Sequence, residues 1–192
     1  MPRVRRPPGE REPPGPEQAL ELAGHFLGTR PRSRWEVSQR LRRSRASDGV
    51  IEATLDRLEE LGIVDDLAFA RWWLEQRDRH APRGRRLVEA ELRQHGIGRD
   101  VIEALREDLA ALEPTEPAGA AEDDGRPPLT EEERARAALA KHLRGRPLPE
   151  DRKALQRVGM FLVRRGFDPD AVRSALRAPE DNGTDEDDPV GR

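Results

Sequence analysis

The sequence contains no cysteine and no tyrosine, and it has few aromatic residues of any kind. The lack of cysteine excludes disulfides, thiolate catalysis and cysteine-ligated zinc, and it is compatible with the reducing cytoplasm where we expect the protein to reside. The longest wholly apolar run, Met160 to Val163, is far shorter than the ~20 residues that a membrane-spanning helix needs. Residues 1–16 lack the apolar segment of a signal peptide. We therefore expect a soluble protein with no membrane association.

Charge is abundant but unevenly distributed. Charged residues make up 38% of the chain and apolar residues 34%, so short amphipathic helices are favoured over one thick core. The net charge of −3 is the balance of +2 in residues 1–16, −1 in 17–112, −4 in 113–128, +5 in 129–178 and −5 in 179–192. The acidic balance comes largely from two segments and does not argue against a polyanionic partner.

Composition also separates the flanking segments from the folded part. Residues 1–16 hold six prolines and four arginines, which predicts a disordered basic arm. Residues 113–128 are typical of an acidic linker, and residues 179–192 of an acidic disordered tail. The rest of the chain divides into three repeats, at 17–64, 65–112 and 129–178.

The repeats are visible when the sequence is aligned with itself at offsets of 51 and then 70 residues. The second offset is larger because the acidic linker is inserted there. Six apolar positions match across all three repeats: Ala19/Ala70/Ala140, Leu22/Trp73/Leu143, Val37/Val88/Val158, Leu41/Leu92/Leu162, Val50/Val101/Ala171 and Ile51/Ile102/Val172.

The spacing of apolar residues within each repeat is helical, and no stretch alternates as a strand would. The fold class is therefore all-α, and we expect a monomer whose three tandem three-helix repeats form an elongated or curved array. Pro31, Pro82 and Pro147 mark helix breaks, and Pro149 and Pro169 suit first-turn positions. The predicted helices span 17–28, 33–44, 47–62, 65–80, 84–95, 98–112, 130–144, 149–165 and 168–178.

The most informative local motif runs from Leu58 to Trp73, where one helix ends and the next begins. A glycine suits the left-handed position after the first helix, with Ile63 folding back on it, and an aspartate pair suits the cap and first turn of the second. A similar glycine follows the second helix of repeat two and of repeat three. Repeat one has Arg45 at the equivalent position, so we expect its second helix to end differently. The residues of this structural motif are Gly62, Asp65, Asp66, Phe69, Gly96 and Gly166.

Catalytic chemistry finds no support in the sequence. His25, His80, His95 and His142 show neither i,i+4 pairing nor a companion carboxylate pattern, so helix-end or surface roles explain them. No glycine-rich phosphate loop is present. We expect no enzyme activity, no cofactor and no metal site.

The second helix of each repeat is cationic. Residues 30–45 carry seven arginines and a single acid, and similar excesses occur at 77–86 and 144–165. In an array, Arg32, Arg83 and Lys153 would occupy one equivalent position and form a stripe suited to phosphates or a periodic protein surface. The candidate interaction residues are Arg32, Arg34, Arg40, Arg43, Arg83, Arg85, Arg86, Lys153, Arg157 and Arg164. Solvated faces with i,i+4 ion pairs are the alternative.

Tryptophan offers a second possible contact with nucleic acid, because aromatic rings stack on bases. Trp73 lies on the apolar stripe of its repeat, so burial is the better explanation for it. Trp35 and Trp72 remain open to either role.

Four runs resemble the RecX family of bacterial RecA modulators: Arg30 to Leu41, Leu58 to Ala70, Gly84 to Leu105 and Leu162 to Leu176. The resemblance covers residues 17–178 and implies three three-helix units that bind in the groove of the RecA–DNA filament. It implies that such a protein blocks strand exchange and ATP turnover or promotes filament disassembly, and so regulates DNA repair, recombination and the SOS response. DNA would be contacted through phosphates, without sequence specificity. A helical DNA-binding transcription regulator and a plain helical scaffold are the alternative functions.

Overall fold

The computed structural model describes residues 12–111 and 129–177, so most of the basic arm, the acidic linker and the acidic tail lie outside the described residues. The described part contains nine α-helices and no strand, and each helix lies within three residues of its predicted bounds. The all-α prediction is confirmed. The helices are α1 Pro16–Leu27, α2 Arg34–Arg43, α3 Asp48–Glu60, α4 Asp66–His80, α5 Arg85–Gln94, α6 Arg99–Ala111, α7 Glu131–Leu143, α8 Arg152–Arg164 and α9 Pro169–Leu176.

Side-chain caps determine where several helices begin. The Asp65 carboxylate accepts from the amides of Leu67 and Ala68, as the sequence predicts for an N-cap. Pro169 follows the Asp168 cap as a first-turn proline, also as predicted. The prediction for Pro149 is wrong, because Asp151 caps α8 and the helix begins three residues after that proline.

The predicted glycine stops are confirmed. Gly62, Gly96 and Gly166 have φ values of +65°, +79° and +84°, in the left-handed region that glycine adopts without strain. At the first of them the amide of Ile63 donates to the Leu58 carbonyl oxygen at 2.9 Å, which is the Schellman pattern. The Ile63 side chain does not fold back, however, because 53% of it is exposed. The buried residue at this turn is Val64.

The expectation of a different helix end at Arg45 is wrong. Arg45 adopts φ +66°, the same left-handed conformation as the glycines. The Ala46 amide donates to the Leu41 carbonyl oxygen, as the Ile97 amide does to Leu92. The helix therefore stops in the same way despite the Cβ, at a cost of roughly 1–2 kcal/mol for an L-residue in this conformation.

Replacing Arg45 with glycine should raise the free energy of unfolding by about 0.5–1 kcal/mol, because the left-handed strain is removed. Urea unfolding followed by circular dichroism measures the change. The control is G62A, which places a Cβ at a left-handed position and should destabilise by a similar amount. If the free energy of unfolding of R45G were equal to or lower than that of the wild-type protein, the backbone at Arg45 would not be strained.

Each repeat has its own small core. The clusters centre on Leu41, Leu55 and Leu58 in repeat one, on Phe69, Leu74 and Leu92 in repeat two, and on Val158, Leu162 and Phe167 in repeat three. One matched triple is out of register, since Ala140 is exposed and Ala135 is buried in the third core. The buried positions of α7 therefore lie earlier in the sequence than the alignment of the repeats predicts. The reason is that the segment between α7 and α8 is longer than the segments between α1 and α2 and between α4 and α5.

The chain divides into two compact units. Of the described residues, the first unit holds 12–80 and 88–111 and contains the first two cores. The second holds 81–87 and 129–177 and contains the third. Within residues 12–111 and 129–177, no helix has the length and apolarity to span a membrane.

In the first unit, repeats one and two are joined at Ser33. Its hydroxyl donates to the His95 carbonyl oxygen at 2.6 Å and accepts from the Glu36 amide. The Asp66 carboxylate accepts from the Arg34 amide at 2.8 Å, so this first-turn acid also connects the two repeats. Burial raises the pKa of Asp66, although the bond from the Arg34 amide opposes that rise.

Replacing Ser33 with alanine should destabilise the first unit by roughly 1–3 kcal/mol. The substitution removes a fully buried hydroxyl, so α2 loses its N-cap and the His95 carbonyl oxygen loses its hydrogen bond from Ser33. The matched control is S47A, which removes the exposed cap of α3. Tryptophan-fluorescence unfolding should show the larger loss for S33A. Equal losses would mean that the bond to His95 contributes nothing.

In the second unit, the segment 81–87 packs on repeat three through backbone contacts. The Gly84 amide donates to the Arg165 carbonyl oxygen at 2.9 Å. The Arg165 guanidinium donates to the Pro82 carbonyl oxygen at 3.1 Å. The Arg85 amide donates to the Glu131 carboxylate, whose pKa burial raises.

Candidate functional site

The outer face of α8 carries an array of exposed cations, which we call the α8 cationic face: Lys153, Arg157 and Arg164. The steps i, i+4 and i+11 place all three within an arc of about 40° on a helix that turns 100° per residue. Val158 and Leu162 lie on the opposite, buried side. None of the three forms an ion pair with any residue that the structure describes. The face therefore presents uncompensated positive charge along about 16 Å of helix.

A second group of cations lies at the end of α2, in the first unit, where Arg42 and Arg43 are exposed and Arg40 is half-buried. Arg40, Arg42 and Arg43 occupy its last turn and have no ion pair within the described ranges. Arg42 is absent from the candidates derived by sequence, although it belongs to the same basic run. Arg40 and Arg43, at i and i+3, are neighbours on the helix surface.

Arg34 has a different role from the one predicted. Its guanidinium reaches three acids of α3: Glu52 at 2.8 Å, Asp56 at 3.2 Å and Glu59 at 2.6 Å. Hydrogen bonding to Glu59 raises the pKa of Arg34 above its ordinary value. Arg34 therefore connects α2 to α3. Because three carboxylates compensate its charge, it contributes little electrostatic attraction for a binding partner.

Arg32 and Lys153 do not occupy equivalent positions, so that expectation is wrong. The Arg32 guanidinium lies 4.0 Å from the centre of the Phe26 ring, and only 17% of its side chain is exposed. Burial lowers the pKa of Arg32, and its Nε has no hydrogen-bond partner within the described part. Lys153 lies in the first turn of α8 and is exposed, because that helix begins earlier relative to Val158 than α2 does relative to Val37.

The candidates of repeat two lie at the start of α5. Arg83 is half-buried and has an interaction partner. Arg85 is exposed, and its positive charge opposes the rise that burial causes in the pKa of Glu131. Arg86 is exposed and forms no ion pair with the described residues. Arg86 is therefore the candidate of this repeat that is best placed to meet a partner.

The tryptophans divide between core and surface. Trp73 packs with the second core and donates from Nε1 to Glu91 at 2.9 Å, which confirms its structural role. Trp72 lies against Phe69, and the Arg30 guanidinium lies 5.6 Å from its ring centre. Trp35 is 46% exposed, although its Cβ lies against Gly96. Trp35 therefore has the most exposed ring of the three.

The histidine closest to this aromatic cluster is His95. Its ring lies 4.3 Å from the Trp73 ring, and Nδ1 lies 3.5 Å from the Glu36 carboxylate. Burial lowers the pKa of His95, and the nearby carboxylate opposes that shift. The imidazole therefore packs at the contact between repeats one and two. In the part of the chain that the structure covers, no group of three or more acids or histidines is arranged to hold a metal ion.

Three tandem helical modules with exposed basic helices define the class: a small all-α repeat protein whose surface chemistry suits a polyanionic or acidic partner. Family models of the RecX three-helix domains match in chain order, the first over residues 19–58, the second over 65–105 and the third over 130–176. The chain belongs to the RecX family of regulatory proteins, and the predicted resemblance is confirmed.

Individual relatives agree with this assignment. The chain is 36% identical to the regulatory protein RecX of Mycobacterium avium over 163 residues, covering 84% of each chain. It is also 36% identical to that of Thermobifida fusca over 170 residues, covering 83% of this chain and 81% of the other. The crystal structure of RecX from Lactobacillus salivarius matches with a TM-score of 0.65 at 16% identity, covering 84% of this chain and 94% of the other. That likeness supports the fold.

Proposed function

We propose that this protein binds the RecA–DNA filament and inhibits recombinase ATPase and strand exchange, and that it acts by binding and not by catalysis. The family assignment supports the choice of partner. The observation that supports the mode of binding is the α8 cationic face, where three exposed cations lie on one side of a helix and pair with no acid among the residues that the structure describes.

The charge distribution suits a surface that contacts phosphates. Lysine and arginine that neutralise phosphates release counterions, and this term is independent of base sequence. Arg42 and Arg43 on α2 and Arg86 on α5 supply further exposed cations, and the half-buried Arg40 lies beside the first two. By contrast, Arg34 and Arg32 are occupied within their own module and are left out of the proposed interface.

The proposal is tested by titrating the protein into RecA assembled on single-stranded DNA. We expect ATP hydrolysis and strand exchange both to fall at amounts of protein below one per RecA subunit. No effect on either reaction would reject the proposal. Strong sequence-selective retardation of duplex DNA without RecA would instead favour a transcription regulator.

A further inference from the structure

The second unit contains a groove of about 990 Å³ between the end of α7, the connecting segment and α8. We call it the α7–α8 groove. Its apolar wall includes Leu143, Leu148 and Phe161. Arg146, Arg157 and Arg164 also line it, and none of the described lining residues is acidic. The groove therefore combines an apolar wall with a cationic rim.

The aromatic ring in this groove is already covered on its faces. His142 stacks on Phe161 with ring centres 3.9 Å apart and an interplanar angle of 18°. The Arg165 guanidinium lies 4.9 Å from the centre of the same ring. A nucleic-acid base would need a free ring face on which to stack. The remaining wall is aliphatic, which favours a peptide with a small apolar side chain and acidic neighbours.

The chain's own C-terminal segment, residues 178–192, has this chemistry. It contains the acidic run Asp185 to Asp188, followed directly by Pro189 and Val190. Residues 179–192 have a net charge of −5. The acidic linker 113–128 is the other candidate, but its acidic run is shorter, at residues 122–124, and its apolar residues are only alanine and proline.

The position where the described chain ends also allows the C-terminal segment to reach the groove. A Cβ placed on Gly159 would lie 3.3 Å from the Leu176 side chain, so the end of α9 lies beside the middle of α8. The linker instead joins the first turn of α7, about 16 Å along the helix from His142. The 13 residues from Ala178 to Val190 can span up to about 45 Å when extended, more than the width of a module of this size.

We propose that the C-terminal segment 178–192 docks in the α7–α8 groove, with its acidic run on Arg146, Arg157 and Arg164 and Val190 against the apolar wall. The segment then competes with external polyanions for the α8 cationic face. Because groove and segment belong to one chain, the effective concentration is of millimolar order, and weak contacts suffice. This inference concerns the protein alone and does not depend on RecA.

The first experiment is carbodiimide cross-linking of full-length R157K, mapped by mass spectrometry. The sequence contains only two lysines, so the new amine is easily assigned. The matched control is R173K, on α9 of the same module, where the arginine pairs with Asp170. We expect cross-links from the R157K lysine to Asp185–Asp188 at a yield about fivefold above that from R173K.

Three results would overturn the docking. They are equal yields to the acidic run from both lysines, a main product with residues 113–128, and a yield that rises with protein concentration, which indicates a second copy.

The second experiment measures the affinity for a single-stranded oligonucleotide without RecA. The variant D185N/D187N/D188N should bind the oligonucleotide about three- to fivefold more tightly than the wild-type protein does. The reason is that the C-terminal segment, which competes for the same cations at millimolar effective concentration, binds the groove less well after the substitutions. The control E122Q/D123N/D124N changes the net charge equally in the linker and should bind less tightly than the tail variant. In an R157E background the gain should disappear. Equal gains from both variants, or a gain that persists with R157E, would overturn the proposal.

Discussion

Reversing the three charges of the α8 cationic face, in K153E/R157E/R164E, is expected to weaken binding to the RecA–DNA filament by at least 100-fold. Each lost phosphate contact removes released counterions, so the slope of log K against log salt should become shallower by roughly 2–3 units. The introduced carboxylates also repel phosphates. Fluorescence anisotropy of labelled filaments across a salt series measures both quantities, and inhibition of ATPase should fall in parallel.

The matched control is R57E/R71E/R173E, which changes the net charge by the same amount. Each of these arginines is at least half exposed and pairs with one surface acid, Glu60, Asp108 or Asp170. Such pairs contribute about 0–1 kcal/mol each, so the control should remain folded. If both triple variants lose affinity equally, the effect is one of net charge and the α8 cationic face is not the interface.

Substituting Gly84 with alanine is expected to lower the free energy of unfolding of the second unit by about 2–3 kcal/mol. A Cβ at Gly84 would lie 2.2 Å from the backbone atoms of Gly166. Because the obstacle is backbone, the clash is relieved only by shifting the segment, which costs more than rotating a side chain. The shift also breaks the bond from the Gly84 amide to the Arg165 carbonyl oxygen.

Two probes separate the units in this experiment. All three tryptophans belong to the first unit, so fluorescence reports that unit while circular dichroism reports both. G84A should shift the circular-dichroism transition more than the fluorescence transition. The control G24A adds a Cβ where nothing lies within 4 Å, in a helix interior, and should be neutral or stabilising by up to about 1 kcal/mol. An unchanged G84A transition would contradict the backbone contact.

Local features of the fold were predictable because their interactions span only a few residues. The Asp65 cap acts on amides two and three residues away. The stop at Gly62 depends on a hydrogen bond from Ile63 to Leu58. The prediction failed at Arg45, where the same Schellman bond imposes a left-handed conformation that the residue type disfavours.

The candidate site was predicted less well, because charge runs do not show which cations find partners. Arg34 and Arg40 stand in one basic run, yet Arg34 meets three acids of α3. Arg40 pairs with no residue that the structure describes. The relevant acids lie 18 to 25 positions further along the chain, beyond the range of any local pattern. Only the packing of α2 on α3 distinguishes the two arginines.

By itself, the amino-acid sequence determined the all-α class, the three repeats, the helix bounds and the family. These features follow from periodicity, caps and glycine stops, which depend on residues only a few positions apart in the chain. The tertiary structure alone decided which arginines are occupied and which are exposed, the close approach of Gly84 to Gly166, and the cationic groove of repeat three. Those features depend on residues far apart in the chain, which meet only after the helices pack.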